Sequence, residues 1–178
     1  MSNGDGMNYA PVGKPAPVVK PGEFTFAAIG LDHGHIYGMT NGLKEAGATL
    51  KWVYDPDPAK VEAYRKQHPE AVAAESEAQI LDDPAVKLVA GACVPGDRAA
   101  LGIRVMKAGK DYFTDKAPMI SLEQLDAAKA AVRETKRKYM VCYSERLQSE
   151  SAVYAEQLIK QGAIGRVLQT IGMGPHRL

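Results

Sequence analysis

The sequence predicts an α/β chain built on a doubly wound parallel sheet, and three observations carry that prediction. Short runs of strand formers alternate with helical patterns along most of the chain. The run Val86-Lys87-Leu88-Val89-Ala90-Gly91-Ala92-Cys93-Val94 is nearly continuous in apolar residues, as in a parallel strand covered on both faces. The first strand-like run, Phe24 to Ile29, breaks at Gly30 and resumes as a helical pattern from His35. A buried strand feeding a glycine turn and then a helix N-terminus is the first unit of a Rossmann-type dinucleotide-binding domain.

Composition bounds the alternatives. The chain has 178 residues, 46% hydrophobic and 24% charged, the profile of an ordinary globular protein. Its 22 basic and 21 acidic residues leave a net charge of +1, which gives no electrostatic reason to expect nucleic acid or an anionic membrane as partner. Cys93 and Cys142 lie in apolar, strand-like runs and read as buried thiols in a reducing compartment. No apolar run is long enough to cross a bilayer, and the N-terminus lacks the pattern of a secretory signal, so the cytoplasm is the expected location.

Taken in order, residues 1–22 carry Pro11, Pro15, Pro17 and Pro21 and read as a flexible arm, a tail in preference to a docking strap. A dinucleotide-binding domain is expected over 23–147. Ile36, Met39, Leu43 and Ala46 recur at helical spacing, and Gly47 sits where that helix stops. A second strand, Leu50 to Asp55, ends on an acid. A helix over 57–68 follows, then a short third strand over 71–74 and a short helix over 76–81. Pro95-Gly96 breaks the fourth strand, and a helix runs from Asp97 to Lys107. Asp111 to Thr114 is a fifth strand. Ser121 and Gln124 have capping-box spacing at the head of a helix reaching Lys136, and Tyr139 to Tyr143 is a sixth strand. Right-handed crossovers then put the turns after Gly30, Asp55, Val94 and Thr114 on one rim of the sheet, where ligands bind.

The candidate binding residues follow from that rim. The G-x-G-x-x-G fingerprint is imperfect: Gly30 is in register, Asp32 and His35 replace the other two glycines, and Gly34 and Gly38 lie out of register. Asp32 stands where backbone approaches a phosphate and repels it unless its carboxylate points away. Asp55 falls about 25 residues after Gly30, near the roughly 20 expected for the acid that binds the ribose hydroxyls of NAD. Asp57 is an equally good cap for the next helix, which frees Asp55 for that task. A carboxylate there repels a 2′-phosphate, and Pro56 supplies no basic partner, so NAD is preferred to NADP.

Several segments in one order resemble the glucose–fructose oxidoreductase, inositol dehydrogenase and rhizopine-catabolism (Gfo/Idh/MocA) oxidoreductases, from Phe24 to the end. They are I-G-L-D-H-G-H, V-Y-D-P-D-P, A-G-K-D-Y-F-T-D-K-A-P-M-I-S-L-E-Q-L, Y-M-V-C-Y-S-E-R and L-I-K-Q-G-A-I-G-R-V. The resemblance implies hydride transfer between a nicotinamide cofactor and a hydroxyl or carbonyl of a sugar, polyol or inositol-like substrate. By position, Lys116 matches the family's active-site lysine, which hydrogen-bonds the reacting oxygen. Asp115 replaces the family's glutamate, and Ala117 replaces its proline. Gly30 and Asp55 match the turn glycine and ribose acid. Pro95, after Val94, matches a proline beside the cofactor crevice, and Tyr143 and Arg146 match a tyrosine–arginine run. The turn residues Asp32, His33 and His35 complete the cofactor-binding candidates. Residues 148–178 would then be the first helix and strand of a C-terminal α+β domain. In the family that domain forms the substrate pocket and usually the interface of a homo-oligomer. On this reading the 178 residues are a fragment of a longer enzyme, inactive alone, and 166–173 is an orphaned strand.

Other readings remain open at this level. The same fold binds NAD as a non-catalytic sensor in some members of the family. A flavodoxin-like module would use the same sheet but leaves Asp55 and the Asp115-Lys116 segment unexplained. Asp32, His33 and His35 are a poor metal set, because histidines two apart on a helix point to different sides; His176 is the one further ligand at hand. No metal is therefore expected.

Overall fold

The computed structural model describes residues 16–143 and 150–172. The described residues fall into two compact units, one of 16–142 and one of 143 with 150–172. The first unit opens with β1 (Thr25–Ile29), α1 (His35–Glu45), β2 (Thr49–Tyr54), α2 (Pro58–Gln67), β3 (Val72–Ala73) and α3 (Glu77–Asp82). It continues with β4 (Val86–Gly91), α4 (Pro95–Lys107), β5 (Asp111–Asp115), α5 (Leu122–Thr135) and β6 (Tyr139–Cys142).

All six strands run parallel in one sheet, in the order β3-β2-β1-β4-β5-β6. The chain winds outward from β1 to one edge, then crosses to β4 and winds to the other. The order reverses between β1 and β4, and that switch point is where an open α/β sheet leaves a crevice. Both faces are covered. Phe26 and Ala28 of β1 pack with Ile36, Met39, Val53 and Tyr64 on one side. Ala27 and Ile29 pack with Ile80, Val89, Val105 and Tyr112 on the other. This alternation along a strand apolar on both faces is why the sequence reads as continuous apolar runs and not as polar–apolar repeats.

Local signals set the helix starts. Pro58 occupies the first turn of α2, and the Asp57 carboxylate accepts the Ala59 N–H. Ser76 and Ser121 cap α3 and α5 by accepting the N–H of Gln79 and Gln124. Gln124 Oε1 in turn accepts the Ile120 N–H, one residue outside the ideal capping box. Helix α4 starts at Pro95, two residues earlier than the sequence suggests, because proline's fixed φ suits the first helical position. It can lie close over β5 only at Gly102. A Cβ there would stand 2.4 Å from the Tyr112 ring and 2.5 Å from the Tyr139 ring, which meet edge to face.

Two expectations are corrected. Residues 16–22 are not part of a loose arm. The Val18 N–H donates to Ala46 O and the Gly22 N–H to Thr49 Oγ1, tying this stretch to the α1–β2 turn. Residues 1–15 lie outside the described residues. In the second unit, α6 (Glu150–Lys160) ends in a turn through Gly162 and Gly165, both with positive φ. No strand follows over 166–172: no described strand pairs with it, and an isolated strand has nowhere to place its ladder of N–H and C=O groups.

The first core holds one imidazole whose facing carboxylate, Glu70 Oε1, stands 3.8 Å from Nδ1, beyond hydrogen-bond range. His68 is 2% exposed, lies against Tyr64 and Tyr37, and neither ring nitrogen has a hydrogen bond. Burial, aided by the Lys44 ammonium and opposed by Glu70, pushes its pKa below the ordinary 6.5. The unfolded chain then binds a proton that the folded chain refuses, so stability is lost as pH falls below about 6.5. His68→Phe should flatten that part of the pH–stability curve in urea denaturation. Gly102→Ala should cost about 1–3 kcal/mol in the same measurement at neutral pH, by overpacking the two tyrosines.

Candidate functional site

Because every strand is parallel, the residues that close β1, β2, β4 and β5 stand along one rim. Gly30, just past β1, has φ +76°. A Cβ there would lie 2.7 Å from the Cys93 Cβ, so only glycine lets the ends of β1 and β4 approach this closely. Backbone bonds fix the approach: Ala92 N–H to Gly30 O at 3.0 Å and His33 N–H to Ala92 O at 3.0 Å. Gly34 and Gly38 have open space where a Cβ would be, so neither does the close-packing work of the missing fingerprint glycines.

Asp55 follows β2 and is 6% exposed. Its carboxylate accepts the Leu31 N–H at 2.7 Å and the Asp57 N–H at 2.9 Å. Asp57 does cap α2, but Asp55 is not free as the sequence suggested: it clamps the turn after β1 to the turn after β2. Nor does the site lack a basic partner. Lys60, in the first turn of α2, lies 3.8 Å from Asp55 and forms a short bond to Asp32. That bond holds the ammonium's pKa above its ordinary value. The other Asp32 oxygen accepts the Val94 N–H at 3.2 Å, at the cap of α4. Asp32 thus bridges the two sides of the switch point, with Lys60 offsetting its charge. Gly30, Asp32, Asp55, Lys60, Cys93 and Arg104 line a cleft of about 420 Å³ there. Burial pushes the Cys93 thiol up to about 11, so it stays protonated at neutral pH.

Further along the rim, Asp115 ends β5 and is 1% exposed. Four groups converge on its carboxylate. His35 Nδ1 lies 2.9 Å from Oδ1, and His33 Nδ1 lies 3.3 Å from Oδ2. The Lys116 N–H donates to Oδ1 at 2.8 Å, and Arg98 Nη2 donates to Oδ2 at 3.2 Å. The two imidazoles therefore do not diverge as helix spacing predicts. His33 precedes the helix and turns back, so both rings reach the same acid, with centroids 4.2 Å apart.

Arg98 was missed in the sequence. It is 2% exposed, donating from Nε to Cys93 O at 2.6 Å and from Nη1 to Ala117 O at 3.1 Å. A signal for it existed: Arg98 falls on the same helical stripe as Leu101, Gly102 and Val105, where a solvated arginine would not sit. Lys116, half-buried, starts the loop that Arg98 grips at Ala117 and that the Tyr139 hydroxyl grips through Pro118 O at 3.0 Å. Of the remaining candidates, Val94 and Pro95 open α4 beside Asp32. Tyr143 is exposed and belongs to the second unit, and Arg146 and His176 lie outside the described residues.

Residues 24–143 match the model of the Gfo/Idh/MocA oxidoreductase family, described by its NAD-binding Rossmann fold. The chain belongs to this family. Among solved structures it is 45% identical to a protein from Erwinia carotovora atroseptica described as a candidate oxidoreductase. That match covers 88% of this chain and 47% of the other, with a TM-score of 0.84. The fold is shared with the WlbA dehydrogenase of Chromobacterium violaceum, solved with NADH and UDP-GlcNAcA, at 20% identity and a TM-score of 0.73. That match covers 84% of this chain and 43% of the other. It is shared also with a levoglucosan dehydrogenase solved with NADH and levoglucosan, at 22% identity, a TM-score of 0.71 and coverage of 82% and 41%. The chain thus spans under half the length of each of these proteins. No curated protein matches it. No described helix is long and apolar enough to cross a membrane.

Removing the Arg98 guanidinium would leave Asp115 charged, buried and short of its strongest cation. Arg98→Met should therefore lower stability by about 3–5 kcal/mol in chemical denaturation.

Proposed function

We propose that this family member is the cofactor-binding half of an NAD-dependent dehydrogenase acting on a hydroxyl or carbonyl of a sugar, polyol or inositol-like substrate. One observation carries the reading. Asp55, the Gly30 crevice and Lys116 stand in that order along the carboxyl rim of the sheet, on both sides of its switch point.

The residues present fit the cofactor. Gly30 leaves no side chain in the crevice, and the cleft of about 420 Å³ opens between Asp55 and Cys93. Each Asp55 oxygen uses one acceptor site on a backbone N–H and keeps another for a ribose hydroxyl. Asp32, which departs from the fingerprint, has its charge offset by Lys60 and its second oxygen turned to Val94. A 2′-phosphate would meet Asp55 and Asp57 together, with Lys60 already committed to Asp32, which supports NAD over NADP.

Bound NAD supplies the carbon that accepts hydride, and the protein supplies position and charge. In that role Asp55 anchors the adenosine sugar. Lys116 hydrogen-bonds the reacting oxygen: as the neutral amine it takes the hydroxyl proton when the substrate carbon gives up hydride, and as the ammonium it returns that proton to the carbonyl oxygen when the carbon receives hydride. Arg98 and Tyr139 act through the loop they grip, fixing where Lys116 starts. The two dehydrogenases named above were solved with a sugar nucleotide and an anhydrosugar, which supports a carbohydrate-like substrate class here. The completed pocket, and any subunit contact made by a second domain, belong to the whole enzyme.

Calorimetric titration should show NAD binding about tenfold or more tighter than NADP. On the full-length protein assayed against polyols and sugars, Lys116→Ala should keep NAD affinity within about threefold and lower turnover by about 10²–10⁴-fold. Unchanged turnover would remove Lys116 from the mechanism.

A further inference from the structure

We infer that His33, His35 and Asp115 form a binding site for one divalent transition-metal ion of the zinc class. The inference stands on the geometry of these three side chains and does not depend on the hydride-transfer reading.

The first support is convergence. The three ligand atoms lie within 4.8 Å of one another, brought together from the turn after β1 and the end of β5. Zinc binds imidazole nitrogen and carboxylate oxygen at about 2.0–2.2 Å, which in a tetrahedron sets ligand atoms about 3.3 Å apart. His33 Nδ1 lies 3.3 Å from Asp115 Oδ2 and His35 Nδ1 lies 2.9 Å from Oδ1, so each imidazole faces its own carboxylate oxygen at about that spacing. Two histidines and one carboxylate, with a remaining position open, are the donor set of a catalytic zinc site. The imidazoles are 53% and 42% exposed, so a fourth ligand has access, while Asp115 is buried and fixed.

The second support is a conflict that the protein alone does not resolve. His33 Nδ1 lies 3.3 Å from the His35 backbone N–H, a donor, and 3.3 Å from Asp115 Oδ2, an acceptor. With a proton on Nδ1 the ring faces another N–H; without one its lone pair faces a carboxylate. No tautomer serves both neighbours. A cation between the ring and the carboxylate takes the lone pair and turns the facing oxygen into a ligand.

The chemistry also selects the ion. Arg98 offsets part of the Asp115 charge, which weakens any site that relies on charge alone. Calcium and magnesium want oxygen-rich shells, and this set offers two nitrogens and one acid. Zinc and cobalt(II) accept it. His33 and His35 thereby gain a role distinct from touching the dinucleotide, and their shared acid, Asp115, directly precedes Lys116.

The test uses the whole chain, stripped with chelator and titrated separately with zinc, cobalt(II), magnesium and calcium chlorides. One equivalent of zinc should bind by calorimetry, cobalt(II) should give the visible bands of low coordination number, and magnesium and calcium should give no heat. His33→Ala and His35→Ala alter exposed rings and should each weaken zinc by at least about 10–100-fold, with an unchanged circular dichroism spectrum. Asp115→Asn should do the same, its folding checked by thermal melt because it also touches Arg98. Absence of zinc binding, equal binding of magnesium, or zinc affinity surviving both histidine substitutions would each overturn the proposal. NAD titration of the same variants separates it from the reading above: loss of metal with NAD affinity retained leaves the dinucleotide assignment standing, and the reverse leaves the metal site standing.

Discussion

Arg98 ties together three pieces of backbone that the strand ladder leaves apart. Its guanidinium meets the carbonyl after β4 and the carboxylate that ends β5 away from water, and the carbonyl of the loop beyond Lys116 at a half-buried position. A planar group with five donors spread over three nitrogens reaches three separated acceptors in fixed directions, whereas a lysine's three donors all sit on one atom. Burying such a pair stabilises the fold little in net terms, since desolvation offsets the attraction. What it supplies is a defined position for Asp115, and through Asp115 for both imidazoles of the turn after β1.

Seen from that pair, the rim has two regions of different construction. Around Asp55 and Asp32 the partners are backbone N–H groups and one surface ammonium, and the cleft opens to solvent. Around Asp115 the partners are side chains packed against a buried arginine. Gly30 lies between them, and its missing Cβ permits the ends of β1 and β4 to meet. The sheet therefore places the Asp55 carboxylate and the Lys116 loop on one edge without either requiring a long insertion.

Much of this was legible in the sequence, and the reasons differ from residue to residue. The strands announced themselves because a sheet covered on both faces needs apolar residues at nearly every position, as in 86–94, where Lys87 is the one charged residue. Ser76, Asp57 and Ser121 marked their helices because a cap needs a short polar side chain at one place. The positions of Asp55 and Gly30 at the ends of β2 and β1 were legible because a strand ending on a turn leaves a mark in the chain spacing. Arg98 was not, since two of its three partners lie 17 and 19 residues away and their meeting is a product of the fold. The convergence of His33 and His35 was missed because helix spacing was applied to a residue standing before the helix. The strand expected over 166–172 rested on local propensity, and a strand is a relation between two segments, not a property of one.

The Asp55 clamp has a consequence for how a ligand is received. By accepting one N–H from the turn after β1 and another from the turn after β2, this carboxylate sets both loops before anything binds. The entropy of ordering them is lost when the chain folds, not when a guest arrives. That end of the crevice is a preorganised mould, and affinity there should depend on shape and charge with little loop rearrangement to weaken it.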